Sequence, residues 1–257
     1  MVKGLYTAYT GMINEQNRMD VLTNNLANSA TNGFKKEGAT SQSFDSVLAY
    51  KIKDVSEPSR LAKNIGVANL GVKVGENYTD YSQGSLKVTG NAYDLAITGD
   101  GFFNVEFTNK AGETSTKYTR DGAFVVDTEG YLVTKDGDYV LGQNGRIKID
   151  PTKEVKINEL GTISQDGRDI GQVKLTDFED LNYLEHYGEN YYQPVEGATE
   201  RNLHGQIRQG YLETSNVQVV QEMVEMISVS RQYESNQKLI TTIDGTLQVA
   251  STQLGKV

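Results

Sequence analysis

NNLANSATNGFKK, residues 24–36, closes an amphipathic stretch in an unusual way. Asn24, Asn25, Asn28 and Asn32 crowd together just after an apolar stripe. Asparagine is a poor helix former, because its side chain competes for the backbone's hydrogen bonds. A cluster of them therefore marks a helix end, and Gly33 supplies the stop. Asn25, Asn28 and Asn32 keep the i, i+3, i+7 spacing of one helical face. Two readings stand side by side. The amides bond neighbouring backbones without adding charge that would repel identical chains, or they are a plain cap cluster at a fraying end.

Upstream of this stretch, Leu5, Met12, Met19 and Leu26 recur every seven residues, and Tyr9, Ile13 and Leu22 widen the stripe. A seven-residue repeat predicts a coiled-coil seam; the plainer alternative is an amphipathic helix on its own domain's core. At the other end of the chain, Ser215 to Leu254 predicts a longer helix. Val220, Val224 and Ile227 mark one stretch of its face, and Val229, Tyr233, Ile240, Ile243, Leu247, Ala250 and Leu254 continue it. At 1.5 Å per residue such a rod is roughly 60 Å long. A helix of this kind draws its stability from packing rather than from propensity. The first partner for each seam is the other terminus, and further burial is expected from other subunits, with the ends ordering on assembly.

The middle reads as β. Asp100-Gly101, Asp121-Gly122, Glu129-Gly130, Asp136-Gly137, Asn144-Gly145 and Asp166-Gly167 punctuate short strand-like runs such as FFNVEF (102–107), AFVVD (123–127) and YLVT (131–134). Gly after an acidic or amide residue is hairpin punctuation, and the spacing suits a meander or a small barrel. Residues 39–75 show neither period and read as a connector. The expected fold class is α+β, mainly β: a central β-rich domain flanked by N- and C-terminal helices that pair as a discontinuous coiled-coil domain. The expected boundaries are 1–38 for the first helical segment, 39–75 for the connector, 76–209 for the β-rich domain and 210–257 for the second helix.

Composition narrows the function. The chain has 257 residues, no cysteine, two histidines and a net charge of −9. Absent cysteine excludes disulfides, thiolate nucleophiles and cysteine-based metal sites, and His186 with His204 is too few for a histidine-rich one. Both ends are nearly neutral, so the acidic excess lies in the middle, which argues against nucleic acid as a partner. No apolar run approaches a membrane span. The opening MVKGLYTAYTGM lacks the apolar core of a cleavable secretory signal, which predicts a cytoplasmic protein or one exported without such a signal.

Enzymatic motifs are missing: there is no G-x-S-x-G elbow, phosphate loop or H-E-x-x-H. The Asp-Gly pairs lack the ligand spacing of calcium loops and read as turns. Asp100 with Asp121 is the one carboxylate pair to weigh for glycoside hydrolysis, and both sit in turn dipeptides. Arg120 and Arg168 each precede an aspartate and read as surface charges. No cofactor, metal or catalytic residue is expected.

The stretch 24–36 resembles the N-terminal signature of the flagellar axial proteins, the basal-body rod and hook family. YSQGSLKVTGNAYDLAITGDGFFNV (81–105) and YTRDGAFVVDTEGYLVT (118–134) are similar to that family's core. QGYLETSNVQVVQEMVEMISVSRQYESNQKLITTID (209–244) is similar to its C-terminal signature. The resemblance implies a structural, non-enzymatic subunit of the rod. Its partners would be itself, as a helical homo-oligomer, neighbouring rod and hook subunits, and the flagellar type III export apparatus. Its place would be outside the cytoplasm, with no membrane insertion. The GDGFF and YLETSN blocks look like the distal-rod type, with the proximal-rod type as rival. On this reading the assembly interface comprises Leu5, Met12, Met19, Asn24, Asn25, Leu26, Asn28, Gly33 and Phe34 from the first segment. Leu212, Asn216, Val220, Val224, Ile227, Tyr233, Ile240, Ile243 and Leu247 come from the second. The reading from a different class is an extracytoplasmic β domain that binds or cleaves cell-wall glycan, tethered by its helices.

Overall fold

A computed structural model describes residues 2–45, 47–51, 63–69, 71–109, 112–188, 190–201 and 205–254. The fold is α+β and mainly β, with a helix at each end. The chain divides into two compact units. A helical unit takes Met1–Leu26, Glu37–Thr79 and Val219–Val257; a β unit takes Ala27–Lys36 and Asp80–Gln218. Both units are thus assembled from separated segments. By contacts, residues 37–79 group with the helices, and residues 27–36 after α1 and 210–218 before α2 group with the β unit.

In the helical unit, α1 (Val2–Ala27) and α2 (Val219–Leu254) run antiparallel. Gly4 lies beside Ile243 and Gly11 against Asn236, Arg18 reaches Glu225 at 3.1 Å, and Asn25 reaches Glu222 at 3.2 Å. The contact face of α1 follows the 4-3 spacing Gly4, Ala8, Gly11, Glu15, Arg18, Leu22, Asn25. That of α2 follows Glu222, Met226, Val229, Tyr233, Asn236, Ile240, Ile243. This is heptad packing, but α1 brings small residues to it. A Cβ on Gly11 would stand 3.0 Å from Asn236 Nδ2, so the glycine makes room for that side chain.

A second face of α1 carries a β ribbon. β1 (Glu37–Ser43), β2 (Val47–Lys51), β3 (Lys63–Ala68) and β4 (Val72–Thr79) pair antiparallel, β1 with β4 and β2 with β3. Asn14 Nδ2 donates to Ser41 Oγ at 2.9 Å, Gly71 abuts the buried Thr10, and Tyr6 and Phe44 pack with centroids 6.4 Å apart. The sequence shows no strand period here because β1 and β4 are exposed over much of both faces, so alternation has nothing to record. Ser46, residues 52–62 and Leu70 of the connector lie outside the described residues.

The β unit begins with β5 (Leu86–Val88), β6 (Leu95–Thr98), β7 (Phe102–Thr108) and β8 (Thr114–Thr119). It continues through β9 (Val125–Val126), β10 (Leu132–Val133), β11 (Tyr139–Gly142), β12 (Gly145–Arg146), β13 (Val155–Ile157), β14 (Thr162–Gln165) and β15 (Arg168–Gln172). It ends with β16 (Leu175–Phe178), β17 (Leu184–Tyr187), β18 (Tyr191–Pro194), β19 (Glu200–Arg201), β20 (Gln206–Gln209) and β21 (Tyr211–Glu213). The main sheet runs β17-β18-β8-β7-β11-β10-β9 and does not close, so the unit is an open meander rather than a barrel. β13-β14-β15 form a second sheet. The turn between β14 and β15 is Asp166-Gly167, both with positive φ (51° and 75°), as a two-residue hairpin requires. Leu95, Ile97, Phe103, Phe124, Val140 and Ile207 are among the side chains of the main core. A smaller aromatic core gathers Phe102, Tyr118, Phe178 and Tyr192.

Candidate assembly interface

The asparagine cluster separates into distinct roles. α1 ends at Ala27, so Asn28 and Asn32 lie beyond the helix and share no helical face with Asn25. Asn25, fully buried, acts as a strand partner: its Oδ1 accepts from Glu37 N at 2.9 Å and its Nδ2 donates to Glu37 O at 2.7 Å. The same amide nitrogen lies 3.2 Å from the buried Glu222 carboxylate of α2. One side chain thereby ties α1, the start of β1 and α2. Asn28 caps locally, its Oδ1 3.3 Å from Thr31 Oγ1. Asn24 is exposed. The amide that matters most bonds its own chain.

Gly33 and Phe34 belong to the β unit and are buried there. Gly33 has a positive φ of 69°. A Cβ on it would overlap the Arg120–Asp121 peptide, so only glycine fits. Phe34 sits edge-on to His186, with centroids 6.4 Å apart; His204 lies outside the described residues. Lys35 Nζ donates to Glu213 Oε1 at 2.6 Å and to Ser82 O at 2.8 Å. Arg120 Nη1 lies 3.4 Å from Glu213 Oε2. All three charged side chains are buried, at 1, 5 and 1% exposure for Lys35, Arg120 and Glu213. Burial pulls the Lys35 ammonium below its ordinary range, and the Glu213 carboxylate beside it opposes that. Arg120 is therefore a buried ion-pair member and not a surface charge; a sequence reading sees its Asp121 neighbour and not Glu213, ninety-three positions away.

Leu212 is buried, its strand paired with β5. Asn216 accepts from Lys36 N at 2.7 Å and donates to Asp80 O at 2.8 Å. On the helices, Leu5, Met12, Met19 and Leu26 are half-buried and flank the contact face, which small residues occupy. Tyr233, Ile240 and Ile243 are half-buried in the α2 heptad. Val220, Val224 and Ile227 face outward at 76, 63 and 53% exposure, and Leu247 at 40%. On α1, Tyr6, Tyr9 and Ile13 are also exposed. Glu222, Met226 and Asn236 complete the α2 contact face; polar residues at two of its positions hid them from an apolar count.

The two carboxylates weighed for hydrolysis have separate partners. Asp100 pairs with Arg201 at 2.7 Å, and Asp121 accepts from Ala123 N at 3.0 Å. Burial pushes the Asp121 carboxyl up from its ordinary 3.8. Its proton is held more tightly in the folded than in the unfolded chain, so ionisation above that range costs stability. Asp121→Asn is expected to raise the urea midpoint of the β unit at pH 7 and to leave it unchanged well below pH 3.8, measured by tyrosine fluorescence.

Large apolar side chains exposed on two paired end helices point to a structural subunit. The family comparisons agree. A model described as flagella basal body rod protein matches residues 5–35, the flagellar hook protein FlgE/F/G D1 domain matches 96–165, and the flagellar basal body rod FlgEFG protein C-terminal matches 208–253. The flagellar basal-body rod protein FlgG of Buchnera aphidicola subsp. Schizaphis graminum is 36% identical over 268 residues, covering 98% of this chain and 99% of the relative. FlgG of Bacillus subtilis is 36% identical over 277 residues, covering 96 and 97%. FlgF of Caulobacter vibrioides is 34% identical over 260 residues, covering all of both. The chain belongs to the flagellar basal-body rod proteins and is a structural subunit of the rod. No helix among the described residues is long and apolar enough to cross a membrane.

Proposed function

We propose that this chain assembles helically with copies of itself, through the outward faces of α1 and α2, into the part of the flagellar drive shaft that passes torque to the hook. The distal-rod type is favoured by the GDGFF and YLETSN blocks. Neighbouring rod and hook subunits are its axial partners. It reaches its place outside the cytoplasm through the flagellar type III apparatus.

The observation that carries this reading is the uncovered row Val220, Val224 and Ile227 on α2. Each such side chain is worth roughly 1.5–3 kcal/mol when fully buried. Exposed apolar patches of this kind mark interaction sites. The three together give at most about 4.5–9 kcal/mol, which leaves little surplus over the estimated 4–15 kcal/mol of lost freedom on association. Several neighbours must contribute, as a helical lattice provides.

The test is the pair Val224→Asp and Ile227→Asp in the full chain. Both positions are more than half exposed, so the single chain is expected to keep its circular dichroism and its stability to within about 0.5 kcal/mol. Concentration-dependent growth in mass, read by light scattering, is expected to disappear. Growth undiminished in both variants would overturn the proposed interface.

A further inference from the structure

The β unit is closed by its own last residues. Among the described residues, β5 pairs with β21 alone and β6 with β20 alone. Ile207 of β20 completes the main core with Leu95 and Ile97. The Gln209 side chain donates to Ala92 O and Val155 O, both at 2.9 Å, and accepts from Ile157 N at 3.1 Å. Segments remote in sequence then converge on Glu213. Gly33 N donates to its carbonyl at 2.8 Å. Lys35 Nζ and Gly84 N reach one carboxylate oxygen at 2.6 and 2.9 Å, and Arg120 reaches the other at 3.4 Å.

We propose that Glu213 is a completion latch. The β unit reaches its stable, cooperatively closed state only when residues 27–36 and 206–218 have both docked, and the Glu213 carboxylate is the group that joins them. A chain missing 206–218 leaves β5 and β6 without their strand partners, and one missing 27–36 leaves Glu213 without Lys35. Without Glu213, Lys35 and Arg120 become two buried cations that have lost their shared carboxylate, which burial penalises steeply. Folding of the middle is thereby tied to the presence of nearly the whole chain. If delivery is in an extended form, as the export reading has it, a half-delivered subunit holds no closed β unit, whichever end leads. That consequence rests on the export reading; the latch does not.

The test is amide hydrogen exchange on the full chain. Glu213→Leu removes the latch and leaves both cations. The triple variant Lys35→Met, Arg120→Met, Glu213→Leu replaces the whole network by apolar groups, a change that buried ion clusters often tolerate. In Glu213→Leu, exchange at Val105 and Tyr118, on β7 and β8, is expected to rise about a hundredfold together with that at Gly33 and Gly84, as one cooperative unit opens. The triple variant is expected to return most of the protection. Rapid exchange confined to Gly33 and Gly84, with Val105 and Tyr118 protected as in the parent, would reduce the network to a local clip and overturn the proposal. So would a triple variant that exchanges, or fails to fold, like the single one.

Discussion

Alanine at position 122 is expected to abolish the folded β unit. A Cβ on Gly122 would overlap the Leu95 carbonyl oxygen and lie 2.7 Å from its carbon, with the Phe103 ring 3.3 Å away. None of these atoms has room to yield. Leu95 and Phe103 are fully buried core residues, and Leu95 N donates to Gly122 O at 3.0 Å, which fixes the two backbones against each other. The clash is with backbone in a close-packed interior. The expected loss exceeds about 4 kcal/mol, in the range reserved for overpacking and strain. Urea unfolding at 25 °C followed by tyrosine fluorescence is the check, with Gly137→Ala as comparison. Gly137 also follows an aspartate, yet nothing lies within 4 Å of its Cβ position; its positive φ of 94° alone sets the cost there. Equal, small losses at the two sites would refute the packing argument.

Replacing Asn25 by leucine is the second large effect. The leucine fills similar volume but breaks the bonds from both backbone groups of Glu37 to this side chain and takes one donor from the Glu222 carboxylate. Each hydrogen bond lost at such a part-buried site costs about 1–3 kcal/mol, so a loss of roughly 3–5 kcal/mol is expected in the helical unit. Asn25→Asp separates shape from charge. It sets a second carboxylate beside Glu222 where the amide donated. Such a pair holds one proton above the usual range. The folded state then binds more protons than the unfolded one, so the defect should be full at neutral pH and shrink as the pair takes up its proton in acid. Helix content against urea at pH 7 and pH 4.5 reads both. A defect in Asn25→Asp that is independent of pH would show that Glu222 does not face this side chain.

These residues also show what a single sequence discloses. Both end helices, the turn-rich middle and the importance of the asparagine stretch were legible, because each rests on local chemistry: periodicity, glycine punctuation and the poor helix propensity of Asn. Which asparagine mattered was not, since that depends on α1 stopping at Ala27 and on Glu37 returning beside it. The heptad of Leu5, Met12, Met19 and Leu26 was visible, but an apolar count passes over Gly4 and Gly11, which lie against Ile243 and Asn236 of α2. For the same reason Val220, Val224 and Ile227 read as one seam with Tyr233 and Ile240, whereas they occupy a different side of the helix. The connector and the Lys35–Arg120–Glu213 network were illegible for another reason. A two-stranded ribbon with exposed faces has no pattern, and a charge looks solvated until its distant partner is known.

The division of the chain carries a mechanical corollary. The backbone passes between the two units at 26–27, 36–37, 79–80 and 218–219. Pulling a typical pair of tandem domains apart loads a single linker. Here the tension is divided among four covalent strands in parallel, like the plies of a cord. Breaking any one of those four connections leaves the other three joining the units.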